Sequence, residues 1–187
     1  MQPLIRLYDH LAGTLDRAGD EILPLLARLA FAATLLGYYW ASALTKLGDG
    51  PLGLLRPSTG AYAQIFPRQL EAVGYDATQL SALHWLVVTL GTWAEFLLPA
   101  LIVAGLFTRL AALGMIGFVI LQSLTDIFGH GLTDPATIGA WFDRMPDGTL
   151  FDQRLFWVLL LAVPAIKGAG ALSLDTLLRR RMAPVRV

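Results

Sequence analysis

Four stretches of this chain are long and apolar enough to cross a bilayer as helices, and nothing else about it can be read until they are placed. A hydrocarbon core about 30 Å thick takes roughly 20 apolar residues in helical form. The stretches cover about residues 22–44, 80–104, 108–128 and 155–174 of the 187-residue chain. Shorter apolar runs, such as Leu52 to Leu55, cannot span. Charged residues make up 15% of the chain, against about 25% in an ordinary soluble domain. That is too little charge to cover a globular surface. The reading is one all-α integral membrane domain over residues 1–187, a four-transmembrane-helix bundle. Fourteen basic and fourteen acidic residues cancel, so no bulk attraction to nucleic acid exists. There is no cysteine, which removes disulfides, thiolate metal sites and thiol redox chemistry.

Ala41-Ser42-Ala43 has the small residues of a signal-peptide cleavage site. The apolar stretch before it is too long, and Asp9, Asp16, Asp20 and Glu21 precede that stretch, so it reads as a retained helix. Four spans put both termini on one side. That side holds Arg6, Arg17, Arg109, Lys167, Arg179, Arg180, Arg181 and Arg186. The other side holds Lys46, Arg56, Arg68, Arg144 and Arg154 among many acids. The excess of positive charge predicts cytoplasmic N and C termini. The basic tail, residues 175–187, is placed against anionic headgroups.

Spans two and three are joined by Gly105-Leu106-Phe107 alone, which predicts a tight antiparallel hairpin. The two outer loops, about residues 45–79 and 129–154, are long and rich in Gly and Pro. Loops of this length carry function or fold into caps. Tyr62, Ile65, Phe66, Leu70 and Val73 recur at helical spacing and suggest an amphipathic segment on the outer leaflet. Leu4, Leu7, Leu11 and Leu15 suggest another interfacial segment over residues 1–21.

Ionisable groups inside spans are costly and mark working sites. Arg28 and Tyr39 are eleven residues apart, about three turns, and Lys46 continues their stripe. His84 and Glu95 have the same separation, while Gln122 and Asp126 stack four apart. The seams should face one another inside the bundle. Arg28 lies about 9 Å and Glu95 about 15 Å from the terminus-side ends of their helices, a difference an arginine can cover. This predicts a buried Arg28–Glu95 ion pair, serving either helix register or proton and substrate handling. In the outer half, Tyr39, Trp40, Lys46, His84, Trp85, Gln122, Asp126 and His130 could line a slot for a quinone headgroup, with Asp126 orienting the His84 imidazole. Tyr39 and Trp40 are more simply accounted for as residues of the membrane–water boundary. His84 and His130 lack a clear third ligand, so no metal site is predicted. Pro99 frees the carbonyl of Glu95 and is expected to bend the second span.

Leu26-Ala27-Arg28-Leu29-Ala30, Gly37-Tyr38-Tyr39-Trp40 and Leu44-Thr45-Lys46-Leu47 occur in order. They are followed by Gly91-Thr92-Trp93-Ala94-Glu95-Phe96-Leu97-Leu98-Pro99 and then by Gly105-Leu106-Phe107-Thr108-Arg109-Leu110-Ala111-Ala112. With the Gly168–Asp175 tail, this order resembles the DoxX family of small four-span membrane proteins. The resemblance implies a bacterial inner-membrane bundle with a redox association, since the related DoxD-type subunit belongs to a thiosulfate:quinone oxidoreductase. It also implies that Arg28 and Glu95 match the family's characteristic charged positions. The expected role is a quinone-interacting subunit without a redox cofactor of its own, working with a membrane or periplasmic redox partner. Glu95, Arg28 and His84 would be its catalytic residues. A non-enzymatic scaffold or assembly subunit is the alternative, and a small transporter is disfavoured by the absence of an inverted repeat.

Overall fold

The computed structural model describes residues 2–182, which contain helices and loops and no strand. Four helices are long and apolar enough to cross a membrane: α1 (Gln2–Thr45), α4 (Ala82–Ala104), α5 (Thr108–Gly129) and α7 (Thr149–Lys167). Neighbouring contacts run α1 to α4, α4 to α5, α5 to α7 and α7 back to α1, a closed four-helix ring. Its core joins Phe31, Leu35 and Tyr39 of α1 with Ile102 of α4, Met115 and Val119 of α5 and Leu161 of α7. Between 22% and 33% of each apolar window is buried within the chain, so most of the apolar surface is left for lipid.

The first span is not a separate element. Helix α1 runs 44 residues, about 66 Å, over twice the hydrocarbon thickness. The stretch assigned from sequence to an interfacial segment is helical and continuous with the span, and its side chains are mostly exposed. A π turn, Ala32–Leu36, lies inside α1 between Arg28 and Tyr39.

The fourth span is displaced from its sequence-based position by six residues at its start. It begins at Thr149 and ends at Lys167. Gly168 (φ 88°) and Gly170 (φ 76°) adopt left-handed backbone that turns the chain, so residues 171–173 form a bend rather than a last helical turn. Arg154, expected in the outer loop, is therefore buried inside the bundle. The tail forms a short helix, α8 (Leu174–Met182). Arg186, counted in the basic tail, lies outside the described residues.

The first outer loop folds into a cap. Helices α2 (Thr59–Ile65) and α3 (Pro67–Ala72) bury Ala61, Tyr62 and Leu70 against Val88 of α4. The amphipathic face expected to lie on lipid packs on the bundle instead, because Val88 on the facing span supplies it with an apolar partner. Ser58 caps α2 through the Ala61 amide at 3.2 Å, and its own amide donates to the Lys46 carbonyl at 3.0 Å. Trp85 and Trp93 donate their indole N–H groups to the carbonyls of Leu55 and Leu54 at 3.0 and 2.8 Å. The loop is thus pinned to α4. A short helix, α6 (Pro135–Ile138), lies in the second loop. Pro99 is buried within α4, whose helix is continuous through it.

Candidate functional site

Glu95 finds its partner on the first span, but the partner is Lys46 and not Arg28. The Lys46 ammonium donates to both Glu95 oxygens at 3.0 and 2.9 Å. It also donates to the Ser42 hydroxyl at 2.7 Å, and that hydroxyl donates to Glu95 Oε1 at 3.3 Å. Side chains of Lys46 and Glu95 are 4% and 6% exposed, so pairing is what makes either charge tolerable in hydrocarbon.

The direction of side chains explains both the failed pair and the real one. Side chains on a helix lean toward its N-terminus. Lys46, at the loop-side end of α1, therefore runs its stem back into the bundle. Glu95, on the antiparallel α4, leans toward the loop side and meets it. Arg28 leans the opposite way, toward the terminus side. Its guanidinium reaches the carbonyls of Ile102 and Val103 at 2.9 and 2.6 Å. These lie seven and eight residues beyond Glu95, about 10 to 12 Å along the axis. It also donates to the carbonyls of Ala169 and Leu172, both at 2.7 Å.

Arg28 is thus the bolt of a terminus-side clasp. The last carbonyls of a helix have no partner within it and carry its negative dipole end. Arg28 supplies a partner for Val103 and a second one for Ile102, whose carbonyl also accepts the Gly105 amide at 3.1 Å, and ties the Gly168–Leu172 bend to α4. Gly105 ends α4 at φ 69°. A Cβ there would lie 2.5 Å from the Ser173 Cβ and 2.8 Å from the Arg28 Cζ, so the close approach needs glycine.

Asp175 closes the same clasp from α8. Its carboxylate accepts the amides of Phe107 and Thr108 at 2.8 and 3.0 Å and the Thr108 hydroxyl at 2.9 Å, capping the start of α5. Burial works against ionisation of Asp175, but these hydrogen bonds and the charge of Arg179 outweigh it and hold the carboxyl below its ordinary range. A carboxyl depressed in the folded state stabilises it above the unfolded pKa, about 3.9. That stabilisation is lost as pH falls through the folded value. Hydrogen exchange of the Phe107 and Thr108 amides is expected to accelerate, relative to the α5 interior, as pH is lowered below about 4, and Asp175→Asn should flatten that dependence.

The remaining sequence candidates do not converge on one place. Tyr39 is buried and edge-on to Tyr38, Phe118 and Trp157. Its hydroxyl donates to Gln122 Oε1 at 3.4 Å, while the Gln122 amide donates to the Tyr38 hydroxyl at 2.8 Å. Asp126 pairs with Arg154, whose guanidinium also donates to the Ser123 hydroxyl at 2.8 Å. His84 is not part of that seam. It contacts the Ser81 hydroxyl at 2.8 Å and stands edge-on to Phe66 of the cap. The expected His84–Asp126 pair therefore does not form, because Arg154 takes the carboxylate. His130 Nε2 lies 2.9 Å from the Gln64 carbonyl, tying the end of α5 to the cap. Trp40 faces outward and donates its N–H to the Phe96 carbonyl at 3.2 Å.

One apolar groove of about 500 Å³ opens beside the ion pair, lined by Leu47, Leu54, Trp93, Phe96 and Leu97. Leu47 and Phe96 directly follow Lys46 and Glu95 in sequence, so the groove is lined by the immediate chain neighbours of the pair. Helical spacing puts Lys46 in the polar stripe but pairs Glu95 with Arg28 in its place, and it leaves the buried Arg154 in the outer loop. The N-terminal lean of side chains on antiparallel helices is the signal that finds both pairs.

A family model described as DoxX matches residues 23–125. That stretch carries Arg28, Lys46 and Glu95 and stops short of Asp126 and Arg154. No curated protein and no solved structure matches the chain.

Proposed function

Because the chain belongs to the DoxX family, we propose that it is a quinone-interacting subunit of a bacterial inner-membrane oxidoreductase complex, with Lys46 and Glu95 as its proton-exchanging centre. The observation that carries this reading is a buried ammonium–carboxylate pair whose sequence neighbours, Leu47 and Phe96, line an apolar groove. Trp93, Phe96 and Leu97 give the groove the flat, apolar walls that a quinone ring and its isoprenoid tail require. The Trp93 N–H is already engaged by the Leu54 carbonyl. Donors to the quinone oxygens must come from the pair's side, where Lys46 and the Ser42 hydroxyl hold Glu95. Reduction of a quinone takes two electrons and two protons. The chain supplies the proton route. The electrons come from a partner reductase, since no cysteine is present to carry them. Termini in the cytoplasm fit this arrangement. With Lys46 and Arg154 neutralised inside the bundle, the loop side keeps only Arg56, Arg68 and Arg144 among the cations assigned to it.

Binding of a short-chain quinone analogue to the purified protein, followed by quenching of tryptophan fluorescence, tests the reading. Saturable binding is expected. Leu97→Trp, which fills the groove from its exposed wall, should weaken it by about tenfold or more, a loss of roughly 1.4 kcal/mol. Binding that is absent, or indifferent to Leu97→Trp, contradicts it.

A second reading has its own observation. Ala30, Thr34, Gly37 and Ala41 are all exposed on α1, a small-residue face suited to close helix packing. As a scaffold, the chain would dock this face on another membrane protein. Co-purification of a fixed-stoichiometry partner without bound quinone favours that reading.

A further inference from the structure

The second outer loop ends in a small closed turn, residues 139–148, whose tip is unsuited to water. Gly139 and Gly148 pinch its base. A Cβ on Gly148 would lie 2.4 Å from the Gly139 Cα and 2.7 Å from an Asp152 oxygen. The buried Asp152 carboxylate accepts the Gly148 amide at 2.9 Å, and the Met145 amide donates to Asp143 at 2.8 Å. The tip presents Trp141, Phe142 and Met145, all exposed. Phe142 shows 105% of its reference surface and sits at φ 67°. Bulky residues avoid that left-handed region. Strained backbone that holds a phenylalanine away from the protein marks a working position.

Depth identifies what receives it. Helix α7 covers 19 residues, about 28 Å, close to the thickness of the hydrocarbon core. Thr149 therefore stands at the hydrocarbon edge, with the base of the loop directly on it. Trp141 reaches back below that edge. Its indole N–H donates to the Phe151 carbonyl at 3.0 Å, and the two rings lie 5.7 Å apart. Phe151 is two residues inside the span and exposed on its outer flank. Trp141 thus has its one donor satisfied and an open ring face at the height where aromatic belts form. Arg144 lies with Asp143 between Phe142 and Met145 and is the one cation of this loop, which also carries Asp147.

We propose that residues 139–148 are a membrane anchor inserted into the loop-side leaflet, with Trp141, Phe142 and Met145 among the upper acyl chains and Arg144 on a phospholipid phosphate. The loop is continuous with the lipid-facing flank of α7, which makes phospholipid its occupant rather than a second protein. Its role is to hold the loop end of the bundle at a fixed depth.

The absence of cysteine allows a single thiol to be placed at will. Phe142→Cys and Met145→Cys, each carrying a nitroxide, are compared in vesicles of phosphatidylethanolamine with a minority of phosphatidylglycerol. Leu159→Cys on the exposed face of α7 and Asp49→Cys in the first loop give the lipid and water references. The readout is collision with oxygen, which concentrates in acyl chains, against collision with a water-soluble nickel chelate. Labels at 142 and 145 are expected to favour oxygen several-fold, as at 159. Labels that behave like 49 overturn the proposal. Labels shielded from both relaxants overturn it too, in favour of a contact between protein chains. Both replaced side chains are exposed, and circular dichroism of each variant checks that the fold is kept.

Discussion

Replacing Glu95 by leucine is expected to destabilise the folded bundle by about 3 to 5 kcal/mol, because it leaves the Lys46 ammonium buried without a counter-charge. The ammonium would keep only Ser42, through its hydroxyl at 2.7 Å and its carbonyl at 3.3 Å. Lys46→Met should do comparable damage by stranding the carboxylate. Glu95→Gln is expected to be milder, since an amide oxygen still accepts from Lys46. The double replacement, Lys46→Met with Glu95→Leu, should recover most of the loss, since a buried pair exchanged for apolar groups of similar volume is often neutral or better. Equilibrium unfolding in mixed detergent micelles measures each. The recovered double variant would be stable and unable to exchange a proton at this site, which separates the structural work of the pair from its proposed chemistry.

The second large effect belongs to Arg28. Arg28→Met removes the donors to four carbonyls, and bonds to a charged group contribute about 1.5 to 3 kcal/mol net each, not additively when they share one donor group. A net loss of about 3 kcal/mol or more is expected. Arg28→Lys should recover less than half of it. An ammonium offers three donors from one point, whereas the guanidinium spreads its five across the α4 end and the Gly168–Leu172 bend. Hydrogen exchange should rise selectively over residues 102–106 and 168–175 and not around Lys46. Full recovery by lysine would mean that charge alone, without geometry, holds the clasp.

The bundle itself was legible because hydropathy reports span length directly. Spans two and three were located to within about two residues, and the Gly105-Leu106-Phe107 hairpin follows from the absence of any other chain to make the turn. What hydropathy does not report is backbone direction. Residues 171–174 are apolar enough to extend the fourth span, yet Gly168 and Gly170 turn the chain away at positive φ. The π turns at Ala32–Leu36, Thr125–Gly129 and Thr149–Gln153 have no compositional signature, and the last two flank or contain the Asp126–Arg154 pair.

The candidate site was half legible for a related reason. Helical periodicity placed Arg28, Tyr39 and Lys46 on one face, and all three are buried. Counting residues from the helix ends then matched Arg28 with Glu95 by Cα depth. Long side chains displace their charges by several ångströms along the helix, always toward its N-terminus. On antiparallel spans this draws Lys46 and Glu95 together and sends Arg28 to the opposite end. His84 illustrates another limit. Its eleven-residue relation to Glu95 was correct as a stripe, but the cap helices, whose packing the sequence pattern assigned to lipid, cover it with Phe66.

A double-mutant cycle tests the pairing at the centre of this account most directly. Stabilities of Glu95→Leu, Lys46→Met, Arg28→Met and the two doubles that include Glu95→Leu are compared in the same micelles. A coupling between positions 46 and 95 of about 3 kcal/mol, with a coupling between 28 and 95 near zero, is the predicted result. A large coupling between 28 and 95, with none between 46 and 95, would contradict it.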